Sequence, residues 1–168
     1  LNTLGKLSIT DLTTYMGIGE AKAVTILAAC ELGKRRQASD IEKRLNLNSA
    51  ISIYNYMYPK VQDKDIEEAW ILLLNQKLDL IEAKCISHGG ITGTAIDIRI
   101  ILKEALLRNA TAIALCHNHP SGNPRPSRED DNITNSLKKA ADTMHIYFVD
   151  HVIVAQQHFY SYREEGRI

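Results

Sequence analysis

Cysteine is scarce: Cys30, Cys85 and Cys116 are an odd number at wide spacings, each in an apolar stretch. That excludes a disulfide framework and fits free buried thiols in a reducing compartment. Net charge is missing too, because 20 basic residues balance 20 acidic ones. Whole-molecule charge therefore offers no argument for a polyanionic partner. Apolar runs such as Ile71 to Leu74 and Ala110 to Cys116 fall far short of the roughly 20 residues that cross a bilayer. The opening residues LNTLGKLSIT carry neither a secretory signal nor a lipidation signal. The expectation is a cytoplasmic protein with no membrane partner. An initiating methionine is also absent, and the chain enters a patterned segment at once, which reads as a trimmed N-terminus. What is present is 168 residues, 45% hydrophobic and 24% charged, enough to bury a core.

Three parts follow from the patterning. Residues 1–38 read as two helices around a glycine turn. Ser8-Ile9-Thr10-Asp11 starts the first and Gly17 stops it, while Ala23, Ile26, Leu27 and Cys30 recur at helical spacing in the second. This is a helix-hairpin-helix pattern in which Gly17 and Gly19 permit a tight turn. Its amides, the following helix N-terminus and Lys22 are the candidate contacts to a DNA phosphate, read without base specificity. The plainer reading is a helical corner. Residues 39–66 read as a connector, with a short helix over Asp40–Leu45 and with Asn46-Leu47-Asn48-Ser49 and Met57-Tyr58-Pro59-Lys60 as punctuation around a tyrosine-rich stretch.

Residues 67–168 read as an α/β domain. Ala69 to Leu74 suits a strand buried on both faces, paired in a hairpin with Leu78 to Ser87. A glycine loop, Gly89, Gly90 and Gly93, leads to a helix capped by Asp97, then to a third buried strand over Thr111–Cys116. Three of the four prolines fall in the next segment, HNHPSGNPRPSRED, which must be a loop. Ser127 opens a helix with Ile133, Leu137, Ala140, Ala141 and Met144 inward, and strands over Tyr147–Ala155 and Phe159–Arg163 complete a mixed sheet.

One constellation carries chemistry. His117 and His119 stand two residues apart at the end of a buried strand, so their side chains lie on one side. Asp130 follows in the first turn of a helix, where a carboxylate suits the dipole and can supply a third ligand. Two imidazoles and a carboxylate, with a fourth position for water, are a catalytic rather than structural zinc arrangement, with one ion expected per chain. A plain core role is the expectation for His151, as for His88, His145 and His158.

The spacing His117-x-His119, seven residues, Ser127, two residues, Asp130 resembles the JAMM motif of the JAB/MPN metalloprotease family. HNHPSGNPRPSRED is more closely similar to the RadC family, as are the glycine hairpin, Gly93-Thr94, Arg99, Thr134 and Asp150-His151. Such members usually carry a longer N-terminal helical region, and a proline where Ile98 stands here. The resemblance implies a JAB/MPN-type mixed sheet flanked by helices, an α+β-like layering also known from cytidine deaminases. It implies amide hydrolysis of a protein or peptide substrate. In that mechanism a glutamate at the start of the first buried strand takes a proton from the water that the metal acidifies. Glu67 and Glu68 both stand there; likeness to the family's strand pattern favours Glu67. Ser127 would hydrogen-bond the developing oxyanion, beside its simpler role as a helix cap. The family's label as DNA repair supplies a competing reading, a DNA-associated module without turnover. A metal-dependent nuclease is a third. Edge strands of the sheet leave room for a homo-oligomer.

Overall fold

The structure, a computed structural model, describes residues 3–38, 45–89 and 96–168. The helix expected over Asp40–Leu45 lies, Leu45 apart, outside them, as do Gly90, Gly93 and Thr94. The chain divides into two compact units, Leu1–Lys43 and Arg44–Ile168.

In the smaller unit, α1 (Ile9–Thr13) begins at Ser8 with a reciprocal cap. The Asp11 amide donates to Ser8 Oγ at 3.1 Å, and the Ser8 amide donates to Asp11 Oδ2 at 2.8 Å. Gly17 turns the chain at φ 84, a conformation that costs a residue without Cβ little, and α2 (Glu20–Ala38) follows. The Lys22 ammonium donates to the Gly17 carbonyl at 2.8 Å. Leu12 and Ala23 are buried; Ile26, Leu27 and Cys30 are half-buried along the expected stripe.

The larger unit is a five-stranded mixed sheet with spatial order β2-β1-β3-β4-β5. Its strands are β1 (Glu68–Leu74), β2 (Leu80–His88), β3 (Ala112–Asn118), β4 (Tyr147–Ala155) and β5 (His158–Ser161). Only β3 and β4 run parallel; the other neighbours are antiparallel. The β1 and β3 residues are nearly all buried, so alternate side chains need cover on both faces. On one face Leu72, Leu74, Ala114, Cys116 and Val152 meet Ile53, Met57 and Val61 of α3 (Ala50–Val61). On the other, Ile71, Leu73, Ile113, Leu115 and Phe148 meet Ile101 and Ala105 of α4 (Ile98–Leu107) and Leu137 and Ala141 of α5 (Arg128–Thr143).

Helix α3 corrects the reading of this segment as a punctuated connector. Met57-Tyr58-Pro59-Lys60 lies within its last turn and a half and is not a break. Proline removes one helical donor there, yet the apolar stripe Ala50, Ile53, Met57, Val61 is buried to 4% exposure or less, and that burial outweighs the lost bond. The inward face of α5 is also shifted from the pattern expected. Met144 is exposed, Ile133 and Ala140 are half-buried, and the polar Thr134 is buried in the stripe beside Leu137 and Ala141. Thr134 earns that place through a histidine described below. Among the described residues no helix is long and apolar enough to cross a membrane.

Candidate metal centre

His117 is the penultimate residue of β3, 3% exposed and directly opposite Ala69 of β1. His119 lies just beyond the strand, its amide donating to the Val154 carbonyl of β4 at 2.8 Å. The loop then doubles back. Gly122 turns it at φ 78, its amide donates to the His119 carbonyl at 3.0 Å, and the Asn123 carbonyl comes within 2.7 Å of His119 Nδ1. Ser127 caps α5, accepting from the Asp130 amide at 3.1 Å while its own amide donates to Asp130 Oδ2 at 2.7 Å. This reciprocal cap orients the carboxylate towards the histidines.

The ligand atoms converge. His117 Nε2 and His119 Nε2 are 2.9 Å apart; Asp130 Oδ1 is 3.1 Å from the first and Oδ2 is 3.6 Å from the second. Zn–N and Zn–O bonds of about 2.0–2.1 Å imply tetrahedral edges of roughly 3.3 Å, which these separations bracket.

Proton positions follow from which atoms can donate. The Asp130 carbonyl can only accept, so the Thr134 hydroxyl 2.6 Å away donates to it. Thr134 Oγ1 is then the acceptor for His151 Nδ1–H at 2.5 Å. That leaves His151 Nε2 as acceptor for His117 Nδ1–H at 2.8 Å, and His117 Nε2 with its lone pair towards Asp130. His119 donates through Nδ1 to the Asn123 carbonyl, which likewise leaves its Nε2 lone pair inward. Two lone pairs and a carboxylate meet with no donor between them. Such a group repels itself unless a cation is held at its centre, so the residues present fit a divalent metal.

The electrostatics of the cluster draw positive charge towards it, as a proton or as a cation. Burial works against ionisation of Asp130, but contact with His117 and His119 and the Ser127 amide outweighs it and holds the carboxyl well below the usual carboxylate range. For His119, burial favours the neutral ring, yet the Asp130 carboxylate and the Asn123 carbonyl move its pKa upward overall. His151 is fully buried, and that burial together with neighbouring His117 lowers its pKa well below the ordinary histidine value, keeping it neutral.

The two glutamates separate cleanly. Extending the Ala69↔His117 register by two residues sets Glu67 opposite His119, on the histidine face, where its charge also raises the His119 pKa. Glu67 is half-buried. Glu68 faces the other way, 3% exposed, and accepts from the Trp70 indole at 3.1 Å. Asn118, on β3 between the two histidines, grips the peptides on either side of Glu67. Its Oδ1 accepts from the Glu68 amide at 2.8 Å and its Nδ2 donates to the Ile66 carbonyl at 3.0 Å. A cleft of about 580 Å³ opens beside the centre, lined by His119, Asn118, Pro120, Val154, Gln156 and residues 61–65.

A model of the RadC-like JAB domain family matches residues 47–167. The chain belongs to that family. A UPF0758 protein of Flavobacterium johnsoniae is 42% identical over 166 residues, covering 99% of this chain and 72% of that protein. Another, from Porphyromonas gingivalis, is 38% identical over 168 residues, covering 99% of this chain and 74% of its own. The RadC-like JAB match includes α3 and every residue of the candidate centre.

Three further residues of this RadC-like domain stand behind the cluster. His151 was expected to be a plain core residue, but it touches His117 directly and stacks on Tyr162 with ring centroids 5.0 Å apart and planes within 3°. Thr134 and Asn123 hold the outer ring atoms of the histidines. Only the parallel pairing of β3 with β4, which sets Leu115 beside His151, brings His151 within reach. Gly17, Gly19 and Lys22 belong to the smaller unit, and Arg99 is exposed and paired with Asp97 at 2.7 Å.

Proposed function

We propose that the protein is a zinc-dependent hydrolase of peptide or isopeptide-type amide bonds. The observation that carries this reading is the convergence of His117 Nε2 and His119 Nε2 on the Asp130 carboxylate, with the other nitrogen of each ring engaged on its far side. A zinc ion held by His117, His119 and Asp130 supplies an acidified water and a Lewis acid for a carbonyl.

This chain's own residues supply the rest. Glu67, on the histidine face, is the proton acceptor for the attacking water and returns the proton to the leaving amine. The Asn118 amide keeps the peptides on either side of Glu67 in place, so the carboxylate starts from a fixed backbone. The Ser127 hydroxyl accepts from the Asp130 amide and still carries a hydrogen to donate, which suits it to a developing oxyanion. The neighbouring cleft gives an extended substrate room beside His119.

The deciding experiment compares wild type with Glu67→Gln on a mixed fluorogenic peptide pool and a lysine isopeptide conjugate, with zinc content measured on both proteins. Turnover falling at least about 100-fold in Glu67→Gln with zinc retained supports the reading. Equal turnover in both overturns Glu67 as the base, and zinc content unchanged by His119→Ala and Asp130→Ala overturns the site.

A further inference from the structure

A second set of metal-ligating side chains gathers at the outer end of the β1–β2 ladder, on the sheet face opposite His117. Glu68 stands across from His88, and Trp70 across from Cys85. Between these pairs the register shifts, with Ser87 opposite Ala69 and Ile86 as the extra residue. In a regular strand, positions three apart point to opposite faces, so Cys85 and His88 would diverge. The bulge restores them to one side. Cys85 Sγ lies 3.9 Å from His88 Nδ1, and Glu68 Oε1 lies 3.3 Å from the same nitrogen. The three donor atoms all fall within 4.8 Å of one another. A tetrahedral zinc with bonds of about 2.3 Å to sulfur and 2.0–2.1 Å to nitrogen and oxygen has S···N and N···O edges of roughly 3.6 and 3.3 Å.

We propose that Glu68, Cys85 and His88 form a second metal site, taking a zinc-class divalent ion with a thiolate, an imidazole and a carboxylate as ligands. Glu68 is anchored for the role. Its Oε2 accepts from the Trp70 indole, and its amide is held by Asn118, which leaves Oε1 turned towards His88. His88 is two-thirds exposed and so open to solution. The cation now at Oε1 is the Lys64 ammonium at 3.1 Å, on a half-exposed and flexible side chain that can swing away. Burial and the Glu68 carboxylate push the Cys85 thiol pKa up, so binding requires the ion to displace the thiol proton to solvent. Once bound, the ion ties the end of β2 to the start of β1.

Cobalt(II) is the probe, added to the full chain carrying His119→Ala and Asp130→Ala so that the first centre is removed. Thiolate coordination gives a near-ultraviolet sulfur-to-metal charge-transfer band that histidine and carboxylate ligands do not produce. The expected result is one cobalt per chain with that band. Cys85→Ser in the same background abolishes the band, His88→Gln weakens binding at least about tenfold, and Lys64→Met tightens it several-fold by removing the competing cation. Because the His88 side chain is mainly exposed, its substitution tests the ligand without disturbing the core. Absence of the band, or a band that persists in Cys85→Ser, overturns the proposal. Neither result bears on the His117 centre, whose zinc is measured separately in the Cys85→Ser chain.

Discussion

His151 offers no atom to the metal position, yet it decides which nitrogen of His117 does. Its Nε2 accepts from His117 Nδ1–H because Thr134 engages the other ring nitrogen as a donor. Replacing His151 by Ala is expected to cost about 10–100-fold in zinc affinity, read by competition against a chromophoric chelator. Thr134→Val keeps the shape but removes the acceptor for His151 Nδ1–H, and a fall in the same direction checks the proton chain. Unchanged affinity in both would remove His151 from the centre. The ligands themselves were legible because HxH and a following aspartate at a helix start constrain few atoms over a short span. The contact of His151 with His117 was not, because the two stand 34 residues apart and only strand pairing brings them together.

Among the elements, α5 and α3 show two different ways in which sequence and context meet. The start of α5 could be read from Ser127 and Asp130 alone, since a reciprocal cap is local chemistry. Here the same carboxylate serves the cap and faces the two histidines. Ser127→Ala is therefore expected to lower stability by about 1 kcal/mol in urea unfolding and to weaken zinc binding together, whereas a cap remote from the site would affect the first alone. Helix α3 went unread because Pro59 and the polar residues around it look like a break. Met57 is fully buried against the sheet, and Met57→Ala is expected to cost roughly 2–5 kcal/mol, a loss a connector would not show. Glu67 and Glu68 illustrate the reverse case. Alternation already said that only one could face the histidines, but which one depended on the register with β3.

At the scale of the molecule, the division between Leu1–Lys43 and Arg44–Ile168 makes the larger unit a candidate for independent folding. A chain of residues 45–168 is expected to unfold cooperatively and to bind zinc with the affinity of the full protein, measured by calorimetry. Loss of either property would show that the smaller unit completes the fold. Zinc in about 100-fold excess over its Kd is expected to raise stability by about 2.7 kcal/mol, reversed by a chelator. Periodicity, caps and a short motif spacing specified the strands, most helices and the cluster of His117, His119 and Asp130, because each depends on contacts within a turn or a few residues of strand. The covering of the second sheet face by α3 and the neutral His151 behind His117 came from strand order and register. Those are properties of pairings between segments far apart in the chain, and their energies arise only when the sheet is assembled.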